Sequence, residues 1–288
     1  MPEISFEFFP AKTEDGAVSL LKTAQTLAEF DPRFMSVTYG AGGSTQGRTL
    51  ATLCDMAKCV SVPLAGHLTC VGASKGEVDD VARSFWDAGI RHIVALRGDP
   101  RPVDGKAQRF EPHPQGYRNA AELVSGLKKI APFEISVAAY PETHPEALSP
   151  EADLDNLKRK FDAGADRAIT QFFFDADIFL RFRDRLSAAH ITKPVIPGIL
   201  PLSSAVQAWK FAAMCGASIP EELRVLYGDL DKSPAVRARI SAILADRLCQ
   251  KLVAEEVGHF HFYTLNQAVP CSALSLLLRH GKVPSSLE

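Results

Sequence analysis

The chain has 288 residues, 46% of them hydrophobic and 23% charged, with 32 basic against 34 acidic side chains and a formal net charge of -2. That length can bury a large core, and the even charge balance excludes a general field for nucleic acid or an anionic membrane. No apolar run approaches the roughly 18 residues a spanning helix needs, and the amino-terminal stretch lacks the basic region and small-residue site of a secretory signal. The six cysteines sit singly, with no Cys-x-x-Cys pair, which fits reduced thiols in a cytoplasmic protein better than a disulfide framework or a zinc site.

Short β-branched and aromatic runs recur along the chain, each followed by a longer amphipathic stretch. Strands are predicted at 4–10, 34–40, 63–70, 92–98, 134–141, 167–174, 194–200 and 259–266. Several read as almost continuously apolar, as strands covered on both faces must. Between them, Leu20, Leu21, Ala24, Leu27 and Ala28 make one helical stripe, and Leu50, Leu53, Met56 and Ala57 make another. Ser149-Pro150-Glu151 offers an N-cap, a first-turn proline and an early acid ahead of Leu154, Leu157 and Phe161. Asp-Ala-Gly at 87–89 and again at 162–164 supplies a glycine to end a helix before a strand.

Eight such units point to an α/β fold, a (β/α)8 TIM barrel read as one domain over 1–288. The interval of 65 residues between the starts of the seventh and eighth strands must hold extra helices, divided at Pro220 and within 228–234. An open doubly wound sheet is the alternative, but no Gly-x-Gly-x-x-Gly follows an early strand.

Chemistry in such barrels sits at the carboxyl ends of the strands. Polar residues gather there: Glu7, Thr38-Tyr39, His67, Arg97-Gly98-Asp99, Tyr140, His144, Gln171 and Tyr263-Thr264-Asn266. Glu7 stands among Phe6, Phe8 and Phe9, where poor solvation would raise its pKa and suit it to general-acid work. The competing reading turns it outward into a surface ion pair, and strand parity alone does not choose. His67 taken alone reads as a hydrogen-bonded core residue, and Arg97-Gly98-Asp99 taken alone as a turn with a surface ion pair. Ala41-Gly42-Gly43-Ser44 could offer backbone N–H groups to a phosphate, and Asp153, Asn156 and Lys160 form a polar helix stripe of the kind that is usually solvated. Phe172-Phe173-Phe174 reads as core. No histidine, cysteine or acid cluster has metal-ligand spacing. Spacing and chemistry stop at a barrel enzyme that binds a polar, anionic ligand at its strand tips.

Ser5-Phe6-Glu7-Phe8-Phe9-Pro10, Ser36-Val37-Thr38-Tyr39-Gly40, His67-Leu68-Thr69-Cys70 and His92 to Asp99 resemble the methylenetetrahydrofolate reductase family in its compact bacterial form. So do 139–146, 156–160, 169–175, Pro197-Gly198-Ile199-Leu200-Pro201 and 261–266, in order along nearly the whole chain. The resemblance implies FAD at the barrel tips, NAD(P)H and methylenetetrahydrofolate as partners that use one face of the flavin in turn, and Glu7 as catalytic acid with Asp99 beside it. It places flavin contacts on Tyr39, Ala41, His67, Arg97, Gly98, Asp99, Ala120, Tyr140, His144, Ala147, Asp153, Asn156, Arg159 and Lys160, with Tyr117 the aromatic nearest Ala120. Substrate contacts fall on Thr38, Asp99, Gln171, Gln207 and Phe211. The chain departs from the family at Gln267, where an arginine is frequent, and in 102–118. A barrel reduced by an electron-carrier protein and a folate-binding barrel of non-redox methyl transfer remain the alternatives. NADH against NADPH, and a monomer against a homo-oligomer, stay open.

Overall fold

Near-continuous apolar runs can only be strands if both their faces are covered, and the chain meets that condition by alternating each strand with a helix. The computed structural model describes residues 1–40, 46–100, 104, 108–202, 205–230 and 234–280. Six units come first: β1 (Glu3–Phe8), α1 (Glu14–Ala28), β2 (Met35–Val37), α2 (Gln46–Cys59), β3 (Leu64–Thr69), α3 (Lys75–Asp87), β4 (His92–Leu96), α4 (Ala120–Ile130), β5 (Glu134–Ala139), α5 (Pro150–Asp162), β6 (Arg167–Thr170) and α6 (Ala176–Ala188). Then follow β7 (Val195–Ile196), β8 (Gly198–Ile199), three successive helices α7 (Ala205–Cys215), α8 (Glu221–Leu230) and α9 (Pro234–Ala254), and finally β9 (His259–Tyr263) and α10 (Ala268–His280).

All pairings are parallel, in the order β7-β6-β5-β4-β3-β2-β1-β9-β8. Among the described residues the expected eight strands are therefore nine, because the seventh is cut in two at Pro197, which has no N–H to give to a ladder. Val195–Ile196 pairs with β6 and Gly198–Ile199 with β9, while the Pro197 carbonyl accepts from His261 N at 3.0 Å. The chain itself bridges the seam, and the result is a TIM barrel. At this seam Gly198 is obligatory, since a Cβ would lie 2.2 Å from the Thr170 carbonyl oxygen.

The predicted helix signals act as expected. Ser149 Oγ accepts from Ala152 N, and Gly89 and Gly164, at φ 84° and 113°, end α3 and α5 in the left-handed region. Leu20, Ala24, Leu27, Leu53 and Met56 are buried in the layer between helices and barrel, with Phe6, Phe8 and Phe262 of the strands. The extra helices fall where the long interval requires them. Pro220 precedes α8, and α8 ends at Leu230 ahead of the start of α9 at Pro234, so the second division falls within 228–234 as expected, with Gly228 itself still helical. Among the described residues no helix is long and apolar enough to cross a membrane.

Candidate active site

Period-two alternation sends Phe6 and Phe8 outward to the helices and Ser5 and Glu7 toward the barrel axis. The outward ion-paired reading of Glu7 is thereby overturned. Its carboxylate opens into a cavity of about 390 Å³ at the carboxyl ends of the strands, walled by Thr38, Tyr39, His67, Tyr140, Gln171, Phe172, Leu200, Phe211, Cys215 and Tyr263 among others. A larger cavity of about 850 Å³ lies at the opposite, amino-terminal face, but the polar strand tips are not in its wall.

Glu7 is only 20% exposed, and its Oε2 stands 3.3 Å from His67 Nε2 and 3.7 Å from His261 Nε2. Burial pushes the carboxyl up, yet His67 foremost, with His261, outweighs it and holds the pKa down, from 4.5 to about 2. The expected upward shift is thus corrected. Phe6 and Phe8, on either side of Glu7 in sequence, point away from it, while Phe9 lines the cavity, and the groups that face the carboxylate come from β3 and β9. Thr264 fixes the end of β1 by donating to the Glu7 carbonyl from both N and Oγ1, at 3.1 and 2.6 Å. Asn266, in the left-handed region at φ 56°, ties the next turn by exchanging hydrogen bonds with the backbone of Phe9.

Gln171 begins where β6 ends. Its amide oxygen accepts from Phe172 N at 3.0 Å, which leaves the amide nitrogen as the end available to a ligand. Tyr263 donates its hydroxyl to the Thr170 carbonyl at 2.6 Å, and burial raises its pKa well above the ordinary tyrosine value. Burial likewise raises Tyr39 to about 12 and the Cys215 thiol to about 11, so both are neutral walls at physiological pH.

Beside the cavity runs a second group of predicted residues. Arg97 binds Glu146 at 2.5 Å and Asp99 at 3.2 Å, and Gly98 takes φ 79°, where a Cβ would meet Thr69 and Val71 at 2.7 Å. The Tyr140 and His144 rings meet edge to face at 4.6 Å, and Asp153 accepts from His144 N. Lys160, expected on a solvated stripe, is instead buried, donating to the Ala138 carbonyl at 2.6 Å. Desolvation lowers its ammonium from 10.5 to about 8, against the raising influence of Asp153. Asn156 and Ala147 are half-buried, Arg159 is exposed, and Ala120 opens α4 as a buried residue.

Other predicted positions are placed less centrally. Asp99 is 82% exposed and outside the cavity wall. Tyr117 turns away, its hydroxyl on Asp79 between α3 and α4. Ala41 lies outside the described residues, as does the side chain of Gln207 on α7. Gln267, at the family's frequent arginine position, is exposed. Phe172 is core as expected and also lines the cavity, a second place that sequence reasoning missed together with Leu200 and Cys215. His261 was missed too, although the alternation His-Phe-His-Phe-Tyr over β9 carries a legible inward face.

A sequence model of the family described as Methylenetetrahydrofolate reductase matches residues 1–275. The chain is 47% identical over 265 residues to the 5,10-methylenetetrahydrofolate reductase of Salmonella typhimurium, covering 92% of this chain and 86% of that protein. It is 46% identical over the same shares to the protein of that name from Escherichia coli. Among solved structures, an uncharacterized Clostridium thermocellum protein that binds two copies of 5-methyl-5,6,7,8-tetrahydrofolic acid shares the fold, with a TM-score of 0.62 at 13% identity over 97% of this chain and 94% of that one.

Proposed function

The chain belongs to the methylenetetrahydrofolate reductase family, and from that membership we propose that it reduces 5,10-methylenetetrahydrofolate to 5-methyltetrahydrofolate through FAD and NAD(P)H. The reading takes the chain as one catalytic barrel working in the cytoplasm. The observation that carries it is Glu7, a carboxylate in the cavity at the barrel tip, faced by two histidines and backed by Gln171 and Tyr263. A ring-opening reduction needs a proton placed on the bridging amine of the folate, and Glu7 is the acid within the cavity that can deliver it.

The flavin is held, on this reading, by the group beside the cavity. A guanidinium at Arg97, a buried ammonium at Lys160, the Tyr140 and His144 rings and the close backbone of Gly98 suit a flat ring system with an anionic linker. When bound, FAD would take a hydride from the nicotinamide and later give one to the folate. Phe211, Leu200 and Phe172 exclude water from the cavity, and the Gln171 amide orients the pterin edge. Thr38, in the cavity wall, and Asp99, exposed and paired with Arg97 outside it, are the remaining folate contacts on this reading. Because Glu7 rests as a carboxylate, its proton must reach it from a neighbouring group before the folate ring opens.

Glu7→Gln keeps the shape of the side chain and cannot transfer a proton. Stopped-flow mixing of the flavin-loaded variant should show reduction by NADH at the parent rate, and reoxidation by methylenetetrahydrofolate slowed by about 10²–10⁴-fold. Reoxidation at the parent rate would remove Glu7 as the acid. Purified protein that stays colourless with added FAD would instead support non-redox folate binding, and dependence on a reduced carrier protein, with none on NADH or NADPH, would support the electron-carrier reading.

A further inference from the structure

TIM-barrel interiors are ordinarily filled by layers of Val, Ile and Leu. Here the inward face carries Ser5, Ser36, His67, His92, Ser136, His259 and His261, all buried or nearly so. Burying unpaired polar groups costs about 1–3 kcal/mol each, so a polar interior calls for a role. Three of these residues form a file along the axis. His261 Nδ1 lies 2.8 Å from Ser5 Oγ, and Ser5 Oγ lies 3.1 Å from His259 Nε2. At the top, His261 Nε2 is fully buried, has no hydrogen-bond partner and faces Glu7 Oε2 at 3.7 Å. At the bottom, His259 Nδ1 stands 3.6 Å from Glu3 Oε2, in the wall of the 850 Å³ cavity at the amino-terminal face. Each end gap is within about 0.5 Å of bonding range.

We propose that His261, Ser5 and His259 form a proton relay through the barrel, connecting Glu7 at the strand tips with water at the amino-terminal face. The proposal rests on Glu7 as the acid of the folate step. Before the folate ring opens, the carboxylate Oε2 of Glu7 takes the Nε2 proton of His261, and Glu7 then gives that proton to the substrate amine. Nδ1 of His261 takes the Ser5 hydroxyl proton, Ser5 Oγ takes the Nε2 proton of His259, and Nδ1 of His259 takes a proton from a buffer acid in the lower cavity. One proton enters below for each that leaves above, and no charge remains in the file. Each passage leaves both rings in the opposite tautomer, and one proton returned down the file from water in the open cavity between turnovers restores them.

The surroundings favour neutral rings, which have one donor and one acceptor nitrogen each and can pass a proton on. Burial lowers His259 to about 3, helped by His261, Arg167 and Arg33, and burial lowers His261 against the pull of Glu7. The other charged or titratable groups facing the file are His67 on β3, His92 on β4, Arg167 on β6 and Tyr263 on β9, with Glu3 and Arg33 at the lower mouth. His92 is engaged by Ser136 at 2.8 Å, Arg167 by Glu134 and Tyr263 by Thr170, so these three lie beside the path. Phe34 stacks on His261 at 5.5 Å and holds the ring in line.

The test uses the flavin-loaded enzyme, with Ser5→Ala to cut the file at its centre and His259→Phe to cut it at its lower end while keeping ring volume. Both should leave reduction by NADH unchanged and slow reoxidation by methylenetetrahydrofolate by about tenfold or more, short of the loss expected when the acid itself is removed. In mixtures of H2O and D2O the parent should show a curved dependence of the reoxidation rate, from several protons in flight, and both variants a linear one. Ser5→Thr, which keeps the hydroxyl, should restore the curvature. In flavin-free protein with 15N-labelled histidine, Ser5→Ala should slow exchange of the His261 ring proton with solvent. If Glu7→Gln blocks reoxidation while Ser5→Ala and His259→Phe match the parent in rate and curvature, the relay is wrong and the proton comes through the cavity mouth by way of His67. If Glu7→Gln itself reoxidises normally, the reading of Glu7 as acid fails first.

Discussion

Glu7→Gln also tests the electrostatics of the site without any substrate. The carboxyl sits at about 2 in the fold against 4.5 for the unperturbed group. With each tenfold change in proton affinity counting about 1.4 kcal/mol, ionised Glu7 stabilises the fold by roughly 3 kcal/mol. Because the folded pKa is the lower one, this contribution is complete above the unfolded value and is lost as pH falls toward 2. Relative to the glutamine variant, which carries no charge at any pH, the parent should gain roughly 3 kcal/mol at pH 5 to 7 and about half of that at pH 3. Urea denaturation of both proteins at several values between pH 3 and 7, followed by tryptophan fluorescence and far-UV circular dichroism, measures the gap. A gap that does not change with pH, or a variant more stable than the parent at pH 7, would mean that desolvation has won and that Glu7 is already protonated in the fold. The histidines would then not be the groups that hold it ionised.

Two further outcomes follow from the cavity and the seam. Gln171→Leu should leave FAD bound and weaken folate binding by about 1–3 kcal/mol, since a ligand group that pairs with the amide would be left buried and unpaired; equal folate affinity by equilibrium titration would return Gln171 to a purely structural place. Gly198→Ala should destabilise the barrel by about 1–3 kcal/mol in the same denaturation assay, because its Cβ would press on the Thr170 carbonyl, a backbone atom that cannot turn aside; an unchanged midpoint would refute the close approach.

Much of the architecture was legible because it rests on local signals. Ser149-Pro150 opens α5, the two Asp-Ala-Gly segments close α3 and α5, and the strand runs stand at regular intervals. Pro197 was visible too, but a residue that breaks one strand into two pairing partners is a property of the ring, which appears only when β6 and β9 lie on either side of it. The site divides in the same way. That polar residues cluster at strand ends was readable, and the resemblance assigned them to ligands. The environment of Glu7 was not, because it is set by side chains 60 and 254 positions away. Lys160 shows the same limit in reverse: a helix stripe gives the face but not what covers it, and here the covering group is a carbonyl of β5.

The seam at Pro197 has one more consequence, for how the molecule comes apart. Each half-strand there pairs over only two registered positions, against five between β1 and β9 and five between β3 and β4. Regions with fewer buried ladder bonds open at lower free energy than the rest of a fold. The wall that leads into α7, including Leu200, Phe211 and the Cys215 thiol, hangs from that weak joint, whereas Glu7 and its histidines hang from the best-laced strands. Under mild denaturant the barrel will breathe like a ring with a clasp. Cys215 will become reactive to thiol reagents before the buried thiols of Cys70, Cys249 and Cys271 do, while the acid side of the cavity is still closed.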